Sequence, residues 1–276
     1  FKSTKSREMQ PAKMSPQRVF EPIRIIGIGG LGNRIVQRLM TNFGFAVQAI
    51  YIDSDASALA QFPADRAIKL GDIGEGADLD FDATCVHVEE LRKRIREAIK
   101  GASIVFTVAA LGGTTGTTTA PLVARMAEEM GILTMTSIVY RDSNTDERVV
   151  SNVSQAMLAF RKLKGSFVPV RWFDQKTDVD PLTTYAFRQM ELGLRNFVSA
   201  IADMLIYGFH CTDIEDLRYV MERPGKARLG VGIAYGKHRV KHALAEATIS
   251  IGTGFPLKEA GSIFVVVTSG TEKSCI

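Results

Sequence analysis

The chain is poor in the features that mark secreted and membrane-spanning proteins. Its 276 residues hold only three cysteines, Cys85, Cys211 and Cys275. An odd number spread this widely argues against a disulfide framework and for a reducing cytosol. No apolar run approaches the roughly 20 residues needed to span a bilayer, and no signal-peptide core stands near the start, so a cytoplasmic location is expected. The longest apolar candidates, 104–111 and 263–267, predict buried strands. The body shows no basic face with interleaved aromatics, so nucleic acid is not indicated as a partner. There is no internal repeat of long period. No G-x-x-x-x-G-K-[ST] phosphate loop occurs either.

What is present suits two joined units with ample core, since 46% of the residues are hydrophobic. The net charge of +4 is concentrated. Residues 1–20 carry Lys2, Lys5, Arg7, Lys13 and Arg18 against Glu8 alone, which accounts for all of it. This polar, Pro-interrupted arm is not expected to fold alone. It reads as a flexible leader, or as an arm that contacts a membrane or an adaptor.

Beyond the arm, apolar bursts alternate with amphipathic stretches. IRIIGIG, AVQAIYID, SIVFTVA and LTMTSIVY predict strands, and VEELRKRIREAIKG predicts a charged helix closed by Gly101. Such alternation builds a parallel sheet covered on both faces. Two glycine-bearing turns follow strands and open helices: GIGGLGN (27–33) and GGTTGTTTAP (112–121), with Pro121 suited to a first helical turn. Helix starts carry unpaired amides and about half a positive charge, so phosphate is their natural guest. Two such turns on one sheet edge, the second lined with threonines, predict a polyphosphate nucleotide. A dinucleotide is the alternative, since GIGGLG fits G-x-G-x-x-G and Asp53 and Asp55 stand near the ribose-binding distance. That reading, an NAD-dependent oxidoreductase, leaves the second turn without a use.

GGTTGTTTAP resembles the FtsZ/tubulin signature GGGTGTGAAP. GGLGNRI is similar to tubulin's GQCGNQI, YIDSDASAL to VNTDAQAL, LGDIGEGADL to LGAGANPE, and TDIEDLRYVM to VDFADVRTVM. The likeness runs from about Ile23 to Gly270 and favours an FtsZ-like member. It implies a parallel-sheet nucleotide-binding domain over 21–180, a long central helix over 181–209, and a curtailed second α/β domain over 210–276. It also implies GTP and GDP as ligands, with Mg²⁺, and a head-to-tail homopolymer. By the resemblance, Gly29, Gly30, Gly32 and Asn33 approach the α- and β-phosphates. Gly112, Gly113, Thr114, Thr115, Gly116 and Thr117 cradle the β- and γ-phosphates. Asp53 and Asp55 lie on a loop near the nucleotide, and Arg148 matches an arginine that reaches it. Asn144 stands where a glutamate is usual.

Asp180–Pro181 predicts the cap and first position of the central helix, which would run about 45 Å at 1.5 Å per residue. AFRQMEL resembles AFGAAND, which implies Phe187 against the guanine ring and Glu191 at the guanine-reading position. At its end, Asp213 and Asp216 match two carboxylates that enter the next subunit's pocket and orient water for GTP hydrolysis. Without the resemblance, Asp-x-x-Asp reads as a helix cap. Cys211, where asparagine is usual, points to slow hydrolysis, so a slow or inactive GTP-binding switch stands as an alternative. His210 reads as a helix-end residue. His238 and His242 have the i, i+4 spacing of a metal pair but no acidic third ligand among their neighbours, so no metal site is expected there. Because the likeness fades after GSIFVVVTSG, the second domain is expected to present an unpaired sheet edge. A partner covers that edge, or its further strands are absent from this family branch or this stretch of chain.

Overall fold

The computed structural model of the chain describes residues 23–41, 43, 47–70, 86–141, 146–172, 185–205, 214–223, 225–251 and 257–268. Their elements run β1 (Ile23–Ile28), α1 (Gly29–Met40), β2 (Val47–Asp53), α2 (Ala56–Leu59), β3 (Ala67–Lys69), α3 (Val86–Ile99), β4 (Ile104–Ala110) and α4 (Thr114–Glu129). They continue with β5 (Leu133–Arg141), α5 (Glu147–Arg161), β6 (Ser166–Trp172), α6 (Tyr185–Asp203), α7 (Ile214–Met221), β7 (Gly225–Lys226) and α8 (Arg239–Ser250).

The strands form one sheet in the order β3-β2-β1-β4-β5-β6-β7, and every neighbouring pair is parallel. The α/β, parallel-sheet expectation holds. Parallel strands are buried on both faces, so β1 and β4 read as largely apolar runs, with Arg24 and Thr107 their polar residues. Alternate residues divide between two cores. Ile25, Phe106 and Val108 join α1, α6 and α7 on one face through Ile35, Val36, Leu194, Val198 and Leu217. Ile26, Ile28 and Val105 meet α3, α4 and α5 on the other through Ile95, Val123, Met126 and Phe160. As the sequence predicts, α3 gives way to Gly101, at φ +74°.

Several expectations change. Pro121 is not in the first turn: α4 begins at Thr114 and carries Pro121 inside it, so the threonines belong to the helix rather than to a loop. The central helix is α6, whose 19 residues make about 28 Å; 181–184 and 206–209, the expected ends of the longer helix, lie outside the described residues. Asp180 and Pro181 lie outside the described residues, and so do the arm 1–20, 71–79, Asn144, the three cysteines, His210 and Asp213. The stretch 263–267 is not a buried strand. Ile263, Val265 and Val267 are exposed, while Phe264 turns inward onto Phe197, edge to face at 6.1 Å. Among the described residues it joins no sheet. Close by in sequence, α8 buries no side chain, although the extended 229–235 stretch packs tightly on it: a Cβ on Gly232 would lie 1.8 Å from the Ala243 carbonyl oxygen.

Candidate functional site: a phosphate cradle at the sheet's switch point

From β1 the sheet grows one way through β2 and β3; from β4 it grows the other way. Ligands in such sheets bind beyond the carboxyl ends of the strands at this reversal. Both glycine turns stand there. The strand β1 ends at Ile28 and α1 starts at Gly29; β4 ends at Ala110 and α4 starts at Thr114.

Close packing on β4 fixes both helix starts. A Cβ on Gly32 would lie 2.4 Å from the Val108 carbonyl oxygen, and one on Gly116 would lie 2.0 Å from that of Ala110. Gly29 turns the chain at φ +73°, a conformation that disfavours any side chain. The direction in which its Cβ would point meets Gly116 N and Thr115 Cβ at 3.8 Å, so the two helix starts adjoin. Around Gly30 and Gly113 nothing lies within 4 Å of a Cβ position. The result is an open notch floored by the amides of two helix N-termini, which suits a chain of phosphates.

The threonines divide their work. Thr117 is buried, and its hydroxyl accepts the Gly112 N–H at 2.9 Å, which shapes the turn. Thr118 Oγ1 donates to the Thr114 carbonyl at 2.8 Å. Thr114 and Thr115 are half-buried at the start of α4. The Thr115 hydroxyl is hydrogen-bonded to Ser54 Oγ at 3.0 Å, tying α4 to the end of β2. Sequence reasoning passed over Ser54; its only signal was a hydroxyl between two acids in IDSD.

Asn33 is 2% exposed. Its Nδ2 donates to the Ile52 carbonyl at 3.1 Å and to Asp53 Oδ2 at 3.3 Å, while Oδ1 has no partner among the described residues. Asp53, also buried, accepts the Asp55 N–H at 3.2 Å. Asp55 caps α2, accepting the Ser57 N–H at 2.8 Å and the Ser57 hydroxyl. Those bonds, the hydroxyl foremost, hold its carboxyl below the usual range. Arg148 is exposed in the first turn of α5, and its backbone N–H donates to the capping Asp146. The next residue, Val149, lies 3.1 Å from a Cβ position on Gly112, so this third helix start borders the notch.

The residues assigned to the base lie on α6, which packs against α1 and the sheet. Phe187 is 1% exposed and belongs to the core, so its ring stands on no open surface. Glu191 is bound to Arg38 at 2.9 Å, with side-chain exposures of 22% and 44%. Arg38 is in the last turn of α1, nine residues and about 14 Å from Gly29. Glu191 therefore stands along the flank of α1.

Asp216 is exposed in the first turn of α7. That helix is fastened to the far end of the sheet: Arg218 Nη2 donates to the Gly131 carbonyl at 3.1 Å, and Ser166 Oγ to the Met221 carbonyl at 2.8 Å. Gly131 precedes β5 and Ser166 opens β6. In register, Leu133 stands beside Ile104, and Val139 beside Ala110. Six steps of about 3.3 Å, or about 20 Å, thus separate the end that holds α7 from the end that holds the notch. Among the described residues, no three His, Cys, Asp or Glu side chains form a metal cluster. His238, the N-cap residue of α8, and His242 within the helix are exposed and stand 6.2 Å apart between ring centres. No described helix is long and apolar enough to cross a membrane.

A doubly wound sheet whose switch point carries two helix-start phosphate seats defines a nucleotide-binding domain. The chain belongs to the tubulin/FtsZ family: residues 22–168 match the Tubulin/FtsZ family, GTPase domain. Its fold is similar to that of a single-residue mutant of FtsZ from M. jannaschii, at 25% identity and a TM-score of 0.66, covering 84% of this chain and 71% of the other. An empty FtsZ dimer from the same organism matches at 24% identity and 0.64, covering 84% and 69%. The GTPγS-bound protofilament of CetZ2 from Haloferax volcanii matches at 16% and 0.56, covering 78% and 67%. Family membership leaves the oxidoreductase reading without support, although its strand order is shared with dinucleotide-binding sheets.

Proposed function

We propose that the chain binds GTP and GDP in the notch between α1 and α4, polymerises head to tail, and hydrolyses GTP at the junction between subunits. One observation carries this reading. Asp216 is on α7, which is fastened to the end of the sheet opposite the notch, and the strands between those ends are about 20 Å long by the register of β4 and β5. A carboxylate placed there cannot serve its own chain's nucleotide, but stacking two copies end to end brings it to the neighbour's.

In this scheme the amides of Gly29, Gly30, Thr114 and Thr115 hold phosphate oxygens, and the two helix dipoles stabilise their charge. Arg148, at the rim, adds a guanidinium on the γ-phosphate side. Asn33 Oδ1 offers a buried acceptor to a ligand N–H or O–H. Mg²⁺ accompanying the nucleotide would offset phosphate charge, with Asp53 and Asp55 as the carboxylates that would hold it. Asp213 and Asp216 of the adjoining copy would orient the attacking water and accept its proton. Glu191, through its acceptor oxygens, would read the N–H edge of guanine, with Arg38 holding it in place. The basic arm 1–20 would tether the polymer to an acidic membrane surface or to an adaptor. The FtsZ dimer and the CetZ2 protofilament support self-association as the family's habit. A slow or inactive switch is the second reading, favoured by the buried ring of Phe187, which leaves less of a seat for the base.

Hydrolysis per subunit, measured across protein concentration, tests the proposal. It should climb steeply with assembly, and Asp216→Ala should lower it by about 10²–10⁴ while GTP binding persists. A rate per subunit that is constant down to nanomolar protein would overturn the interface mechanism. Absent hydrolysis at every concentration, with GTP bound, would select the switch.

A further inference from the structure

Three consecutive residues at the end of β2 hold the starts of both helices that floor the notch. Asn33 of α1 donates to the Ile52 carbonyl and to Asp53 Oδ2. Ser54 Oγ and Thr115 Oγ1 of α4, 61 residues apart in sequence, share a hydrogen bond of 3.0 Å. The place of Thr115 in its helix explains this partner. Inside a helix a threonine hydroxyl commonly returns to the carbonyl four residues back, as Thr118 does to Thr114. Thr115 is the second residue of α4, so Leu111, its fourth predecessor, lies before the helix. The rest of the side chain is placed as well: Thr115 Cβ and Cγ2 lie 3.8 Å from where a Cβ on Gly29 would stand. The methyl thus lies beside the start of α1 and the hydroxyl beside the end of β2, and one staggered rotamer meets both neighbours.

We propose that Ser54 is a positioning residue for phosphate binding: by donating to Thr115 Oγ1 it commits the Thr115 hydroxyl proton to the ligand. This role rests on the reading of the notch as a nucleotide site. In the bond as it stands either oxygen can be the donor, and each hydroxyl has one proton and two lone pairs. A phosphate held by the Thr115 amide stands beside the hydroxyl of the same residue. An ionised phosphate oxygen only accepts, so it takes the Thr115 proton, and the Thr115 oxygen is left to accept from Ser54. Ser54 must then donate. In the resulting chain, from Ser54 through Thr115 to phosphate, each bond polarises the next and makes Thr115 the stronger donor. Both residues are half-buried, which strengthens such a chain relative to open water. Without the Ser54 hydroxyl, Thr115 Oγ1 loses its second partner, and the ligand itself must order the proton. Ser54 touches no phosphate in this scheme and acts through Thr115 alone. It also joins occupancy of the notch to the turn that carries Asp53 and Asp55.

A double-mutant cycle on the affinity of the full chain for a fluorescent GTP analogue, with thermal melting alongside, tests the role. Thr115→Val removes the hydroxyl and keeps the shape of the side chain; Ser54→Ala removes its partner. Each should weaken binding about two- to tenfold, the range of one hydrogen bond. The double variant should bind no more weakly than Thr115→Val, because Ser54 has nothing to position once that hydroxyl is gone. Ser54→Thr keeps a hydroxyl and should return the affinity to that of the parent. If Thr115→Val binds too weakly to measure, the contrast between Ser54→Ala and Ser54→Thr decides. Parental affinity in Ser54→Ala would overturn the proposal, whether or not its Tm falls, because a bond that serves only the fold moves Tm alone. Losses that add in the double variant would overturn it too, as would a Ser54→Thr as weak as Ser54→Ala. In all these outcomes the parent still binds GTP and the notch keeps its assignment. A parent that binds neither GTP nor GDP would instead remove the notch assignment, and the role of Ser54 with it.

Discussion

Replacing Gly116 by alanine should damage the protein in a way that replacing Gly113 does not. At Gly116 the added Cβ would stand 2.0 Å from the Ala110 carbonyl oxygen, whereas ordinary contact begins near 3.4 Å. The start of α4 must therefore withdraw from β4 by about 1.4 Å, since the obstacle is backbone and cannot rotate aside. Overpacking of this kind costs about 1–3 kcal/mol, and a backbone obstacle belongs at the upper end. For a domain of this size that is a fall in Tm of about 6–12 °C. Withdrawal also takes the α4 amides away from any bound phosphate. Losing one charge-assisted bond costs about 1.5–3 kcal/mol, which is at least a tenfold rise in Kd. Gly113 is the control. It sits at φ −83° in extended backbone, and nothing lies within 4 Å of its Cβ position. Gly113→Ala should keep Tm within about 2 °C and still weaken the nucleotide, because the methyl group projects into the notch. Thermal melting and titration with a fluorescent GTP analogue separate the two effects. Gly116→Ala with an unaltered Tm and unaltered affinity would refute the packing argument; Gly113→Ala with parental affinity would refute the placement of the phosphates.

Other variants test the surroundings of the notch. Glu191→Ala should cost less than about 1 kcal/mol of stability, because its pair with Arg38 is partly exposed. Its GTP affinity should fall while ATP affinity stays put, and equal losses for both would remove Glu191 from base reading. Ser57→Ala should raise the Asp55 pKa toward the ordinary carboxylate value, which NMR titration would show. Because the folded-state pKa of Asp55 is depressed, its contribution to stability is present above about pH 4 and is lost as pH falls through the folded value. The variant should therefore show a weaker loss of stability on acidification than the parent, and an identical acid profile would show that the cap has no such effect.

Much of the sheet was legible from runs such as IRIIGI and IVFTVAA, because β-branched and apolar residues buried on both faces leave a continuous signal. The glycine turns were legible too, since Gly32 and Gly116 meet backbone while Gly30 and Gly113 meet open space. Strand β6 was missed. Pro169 interrupts SFVPVRW, and proline normally argues against a strand. It is tolerated here because β7 pairs only with Ser166 and Phe167, leaving the rest of β6 without that neighbour. At three residues, β3 is too short to show a period. The base-side residues were read from likeness alone. Nothing in AFRQMEL shows that Phe187 would pack inward or that Glu191 would meet Arg38, because both depend on how α6 lies against α1. The stretch 263–267 misled because apolarity signals a need for cover, and it does not by itself identify the neighbour that provides it.

The junction of β1 with α1 has no spacer: Ile28 closes the strand and Gly29 opens the helix. Each residue added to a helix advances its azimuth by about 100°. One extra residue at this junction would swing Gly32 off the Val108 carbonyl and carry Asn33 away from the end of β2, undoing two anchors at once. At this rim the length of the chain is therefore held as tightly as the glycines that approach β4. The opposite rim, where Gly101 and Gly131 sit at positive φ with nothing within 4 Å of a Cβ position, accepts added length in the single chain. It is also the end that carries α7 and would meet the next copy, so a fusion there should block assembly while leaving the notch intact.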